Sequence, residues 1–106
     1  MYYIEYFSRN PGVELDRFHR VVRENFDQWQ RLYPQDKLLL LIGRTFRMGP
    51  EPMYMAVWQP HSFARFDEWK AAFTTSPEAS VAFEEFAKVA TIEHAGVYED
   101  LGEEQL

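Results

Sequence analysis

Residues 1–33 read MYYIEYFSRNPGVELDRFHRVVRENFDQWQRLY, and within them the chain passes from one kind of element to another. Residues 1–9 are dense in Tyr, Ile and Phe, side chains that suit a pleated strand, and they stop at Asn10-Pro11-Gly12, a strong turn cluster. Beyond the turn, Leu15, Phe18, Val22, Phe26, Trp29 and Tyr33 recur three or four apart, which puts them on one stripe of a helix over residues 13–33. Arg17, Arg20, Arg23, Glu24, Asp27 and Arg31 fall on the other side. Pro34 ends the run, because the residue before a proline is pushed out of the helical region.

Working outward, residues 38–46 open with Leu38-Leu39-Leu40-Leu41-Ile42, a run too short for a free-standing helix and suited to a buried strand. Met48-Gly49-Pro50-Glu51-Pro52 forms a connector, and residues 53–59 close a hairpin as a third strand. A second helix starts near Ser62, a good N-cap, and carries Phe66, Trp69 and Phe73. It breaks at Thr74-Thr75-Ser76-Pro77, where Ser76 can cap and Pro77 can open a new helical segment that buries Phe83, Phe86 and Val89. Residues 91–100 form a fourth strand, and residues 101–106 an acidic tail. The order is strand, helix, strand, strand, helix, strand within one domain over residues 1–100.

Composition narrows the function classes. A chain of 106 residues suits one core, and with 46% hydrophobic residues it is expected to fold. The absence of cysteine removes disulfides, thiolate nucleophiles and Cys-ligated metals. The first residues lack the basic and apolar runs of a signal peptide, and no stretch approaches a membrane span, so a cytoplasmic protein without membrane partners is expected. The net charge of −6 argues against nucleic acid, whose phosphates call for clustered Lys and Arg.

Two helices can cover one face of a four-stranded sheet, and that face is expected to collect Tyr2, Ile4, Tyr6, Leu38, Leu40, Ile42, Met55 and Val57. The opposite parity gives Tyr3, Glu5, Phe7, Leu39, Leu41, Gly43, Tyr54, Ala56 and Trp58, nearly as apolar. Left bare, it would exceed the apolar patch a monomer normally exposes. A second copy packed sheet to sheet is therefore expected, with a cavity between the two.

Several of these pieces together resemble the NIPSNAP-type branch of the dimeric α/β-barrel proteins. They are the aromatic first strand running into Pro11-Gly12, Leu15 and Phe18, Met48-Gly49-Pro50, Val57-Trp58, Ser62-Phe63-Ala64, and Ser76-Pro77-Glu78 followed by Phe83. The resemblance implies an α+β, ferredoxin-like βαββαβ fold and a homodimer with a ligand cavity between helix layer and barrel, an alternative to the cavity between two sheets. It also implies a range of activities that includes cofactor-independent monooxygenases, haem-degrading enzymes and isomerases. Haem-degrading members combine a strand-1 Asn, a strand-3 Trp and a helix-2 His, of which only Trp58 has a counterpart, so haem is not expected and no cofactor is.

Among single residues Glu5 is the sharpest candidate, a carboxylate on an apolar face where desolvation raises its pKa toward general acid–base use. Pairing of Tyr3 with Trp58 and Phe7 with Tyr54 would set Glu5 beside small Ala56, leaving room for a ligand. A salt bridge to Arg47 or across the dimer is the competing reading. His94, with Ala95 and Val97 turned to the helices, would face inward with Ile92 and Tyr98 and pair with Glu5 for proton transfer; a hydrogen-bonded structural histidine is the alternative. Tyr3, Phe7, Tyr54 and Trp58 could line a pocket for a flat apolar or aromatic molecule, with Arg47 for an anionic group. His19, His61 and His94 have no ligating spacing, so no metal site is expected. The readings are a homodimeric small-molecule-binding protein, a cofactor-independent monooxygenase or isomerase acting on an aromatic or polyketide-like substrate, and a purely structural dimer.

Overall fold

A computed structural model describes residues 1–43 and 54–102. The elements are β1 (Tyr2–Arg9), α1 (Leu15–Leu32), β2 (Lys37–Gly43), β3 (Tyr54–Gln59), α2 (Arg65–Thr75), α3 (Pro77–Val89) and β4 (Ala90–Tyr98). The strands form one antiparallel sheet in the order β2-β3-β1-β4. Arg44, Arg47 and the connector from Met48 to Pro52 lie outside the described residues.

Local chemistry sets the element ends. Gly12 takes φ +80, a backbone region costly for any residue with a Cβ, and so turns the chain from β1 into α1. Ser76 accepts from the Ala79 N–H at 3.3 Å with Pro77 in the first turn, the expected cap of α3. The start of α2 differs from expectation. Ser62 offers only its carbonyl, to Arg65 N–H, and the helix begins after a turn at Phe63 and Ala64 without a side-chain cap.

The register between β1 and β3 is the expected one, with Tyr3 opposite Trp58, Glu5 opposite Ala56 and Phe7 opposite Tyr54. The face is not. Phe7 is 0% exposed and packs on Phe18 and Phe26 of α1 and Phe86 of α3, while Tyr3 meets Phe66 and Trp69 of α2. The helices therefore cover Tyr3, Glu5, Phe7, Tyr54, Ala56 and Trp58, and leave Tyr2, Ile4, Tyr6, Met55 and Val57 on the bare side.

Two causes reverse the assignment. Both parities are apolar, so alternation alone does not say which one meets the helices. Leu38 keeps its expected place under the helices opposite Trp58, but a register shift at Leu39 sends Leu41 there and Leu40 and Ile42 to the bare face. Gly43 is needed where it is, since a Cβ there would come within 2.7 Å of the Tyr54 ring.

Candidate functional site

The helix layer does not close evenly on the sheet. Tyr3 touches Phe66 and Trp69 edge-on at 5.6 and 5.5 Å, and Trp58 meets Trp69 at 6.4 Å, so rings prop α2 away from β1 and β3. Beneath it lies a cavity of about 340 Å³, within the usual range for small-molecule sites. Trp29, Trp58 and Trp69, all the tryptophans of the chain, contribute to its walls. Phe73 and Phe83, in contact at 5.1 Å, join α2 to α3 at its edge.

Glu5 stands in the floor. Its neighbours across the sheet are Ala56 on β3 and Ala95 on β4, so the carboxyl rises between two methyl groups with open space above. Burial pushes its pKa from 4.5 up to about 7, and a hydrogen bond from Trp58 pulls it partly back. The adjacent Tyr3 hydroxyl is pushed up to about 12, first by burial and then by the charge of Glu5. A group that gains and loses its proton near neutrality, in an apolar cavity, can act as acid or base.

Asp36 lies at another wall, and sequence reasoning missed it. It is 1% exposed, and its carboxylate accepts from His61 N–H at 2.8 Å, from Trp69 Nε1 at 3.0 Å and from Arg65 Nε at 3.0 and 3.3 Å. The Arg65 guanidinium also stacks over the Tyr33 ring, 5.2 Å from its centre. Burial alone would raise the Asp36 pKa, but Arg65, His61 N–H and Trp69 outweigh it and hold the carboxyl below its ordinary value. Arg65 and Trp69, one helical turn apart, were the available signal. They share a face of α2 and both present N–H donors, but nothing in the sequence says which acceptor they meet.

The remaining candidates separate. Tyr3, Glu5 and Trp58 line the cavity. Phe7 and Tyr54 are not among its walls; they stack on each other at 5.7 Å in the core, with Tyr54 also against Phe18 and His19. Arg47 lies outside the described residues. His94 pairs with Tyr6 on the bare face, its Nε2 3.2 Å from the Tyr98 hydroxyl, whereas Glu5 is on the helix side. The expected Glu5–His94 pair is therefore not formed. Ala95 and Val97 do face the helix side, opposite Glu5 and Tyr3, but Glu93 is skipped in the register, which returns Ile92 to the cavity opposite Phe7. His61 contributes its main-chain N–H rather than its ring.

SnoaB, a cofactor-independent oxygenase from Streptomyces nogalater, matches over 93% of this chain and 92% of its own, with TM-score 0.61 and 11% identity. The fold is ferredoxin-like. A dimeric protein of unknown function and ferredoxin-like fold from Bacteroides fragilis NCTC 9343 matches over 90% and 88%, with TM-score 0.51 and 13% identity. No protein-family profile matches the chain, and no curated protein does. No helix among the described residues is long and apolar enough to cross a membrane, and those residues contain no cluster of three or more His, Asp or Glu able to hold a metal.

Proposed function

We propose that the chain is a homodimeric, NIPSNAP-like α/β-barrel protein that binds a flat apolar or aromatic small molecule between its sheet and helices. The aromatic cavity with Glu5 in its floor is the observation that carries this reading. Occupancy can be followed without a label, because all three tryptophans border the space. Titration with naphthalene and its hydroxylated derivatives is expected to change tryptophan emission saturably, and an unchanged spectrum with every such probe would overturn the proposal.

The dimer forms through the bare face. Leu40 and Ile42 are 49% and 48% exposed there, beside Ile4, Tyr6 and Met55, a continuous apolar surface of the kind a monomer rarely leaves to water. The dimeric neighbour of the same fold supports this. Sedimentation equilibrium is expected to give a dimer that Ile42→Lys converts to a monomer; a wild-type monomer at micromolar concentration would sink the claim.

A second reading, a cofactor-independent monooxygenase or isomerase acting on an aromatic or polyketide-like substrate, is favoured by Glu5 itself, whose pKa of about 7 suits a general base. The oxygenase neighbour supports it. The Glu5 carboxylate takes a proton from an acidic CH2 group; the carbanion then regains a proton at another carbon, or is oxidised by dioxygen to a carbonyl with release of water. Turnover is expected to rise as pH passes through about 7 and to vanish in Glu5→Gln. Activity retained in that variant would exclude Glu5 as the base.

A further inference from the structure

Asn25 sits inside α1 on its buried stripe, next to Phe26, and is only 6% exposed. An asparagine is poorly placed there on two counts. Its short amide competes with the helix backbone, and a buried polar group costs free energy unless it is hydrogen-bonded. One half of the amide is satisfied, because Nδ2 donates to the Ala82 carbonyl of α3 at 2.6 Å. A carbonyl can only accept, so this contact fixes which end of the amide is nitrogen.

The other end, Oδ1, receives no hydrogen bond from any described residue. Among the described residues no sealed side-chain nitrogen or oxygen lacks a partner. Asn25 is one of the residues that line the cavity.

We propose that Asn25 Oδ1 is a specificity-determining acceptor of the cavity and that the ligand is a flat aromatic bearing a hydroxyl group that donates to it. The inference rests on the cavity reading above and names its ligand class. A hydroxyl satisfies the oxygen. An ether sets lone pairs against lone pairs, and a bare ring displaces water and leaves the acceptor unpaired, which is how a built polar site rejects analogues.

The test compares naphthalene, 2-naphthol and 2-methoxynaphthalene by tryptophan emission, in the wild-type chain and in Asn25→Leu. In the wild type the naphthol is expected to bind roughly tenfold more tightly than the methoxy compound. That preference is expected both a unit or more below and a unit or more above the Glu5 midpoint of about 7, at pH values where the naphthol is neutral. In Asn25→Leu it is expected to fall to about twofold or less while naphthalene binding is kept. A merely structural Asn25 would weaken all three probes together.

Equal binding of naphthol and methoxynaphthalene to the wild type overturns the inference and leaves the cavity reading standing. So does a preference present only above the Glu5 midpoint, which would make Glu5 the acceptor. Failure of all three probes removes the cavity reading and this inference with it. If the leucine variant does not fold, the wild-type ratio still overturns the inference when it is absent or confined to the alkaline side of the Glu5 midpoint.

Discussion

Two carboxylates border one cavity and respond to burial in opposite ways. Asp36 is 1% exposed and its pKa is lowered; Glu5, surrounded by more of the protein's mass, has its pKa raised to about 7. The difference lies in the heavier desolvation of Glu5 and in the donors. Asp36 meets a guanidinium, an indole N–H and a backbone N–H, whereas Glu5 has Trp58 alone between alanines and aromatic rings. Asp36 is thereby committed to holding the fold together, and Glu5 is left free to change charge.

Removing each carboxylate breaks the comparison most directly. Asp36→Ala leaves Arg65, itself 11% exposed, without its anion, and also strips partners from Trp69 and His61 N–H. We expect a loss of about 4 kcal/mol in urea denaturation at neutral pH, the penalty of an abandoned buried charge. A loss under about 1 kcal/mol would show that water replaces the carboxylate cheaply.

The pH dependence sharpens the contrast. Glu5 binds its proton more tightly folded than unfolded, so its contribution is complete below about 4.5 and is lost as pH rises through about 7. Asp36 works the other way. Its contribution is present above its ordinary 3.8 and is lost as pH falls through its lower folded value. Between the acidic and alkaline sides of the Glu5 transition the wild type is expected to lose on the order of 2 to 3 kcal/mol more than Glu5→Gln does. Parallel stability curves for the two chains would mean that water reaches Glu5 well enough to cancel its desolvation.

These two residues also mark how far the sequence can be read. Element order, the β1–β3 register and the Ser76-Pro77 break were legible, because turn residues and helical spacing are local signals. Glu5 stood out as a charge in an aromatic strand, and its place beside Ala56 followed from the register. Which face of β1 meets the helices did not, since Ile4 and Tyr6 are as apolar as Tyr3 and Phe7. The face argument alone consequently put the cavity between two sheets, whereas the family resemblance put it between helix layer and sheet, where it lies. Asp36 was invisible for another reason. Its partners lie 25, 29 and 33 residues away, and an acidic residue just after Tyr33-Pro34-Gln35 reads as an exposed turn.

Smaller effects test whether Trp58 is what limits the Glu5 shift. Trp58→Phe keeps a ring against Phe26 and Trp69 but removes the indole N–H. The Glu5 midpoint, followed by isotope-labelled carboxyl NMR, is expected to move upward from about 7, because the one interaction that favours its charged form is gone. A midpoint that stays put would mean that burial alone sets it.

The smallest expected effect runs from Glu5 back to Tyr3. The Tyr3 hydroxyl is held near 12 mainly by burial, with the Glu5 charge as the second cause. At the alkaline pH where a tyrosine titrates, Glu5 is fully ionised, so the negative charge next to an incipient phenolate is at full strength. Glu5→Gln removes that charge while leaving the burial almost unchanged. NMR titration of labelled tyrosine should therefore show the Tyr3 midpoint lower than in the wild type, yet still above the ordinary value of 10. A midpoint unmoved by the substitution would mean that the two groups do not sense each other across the cavity floor, and that Glu5 ionises independently of the ring beside it.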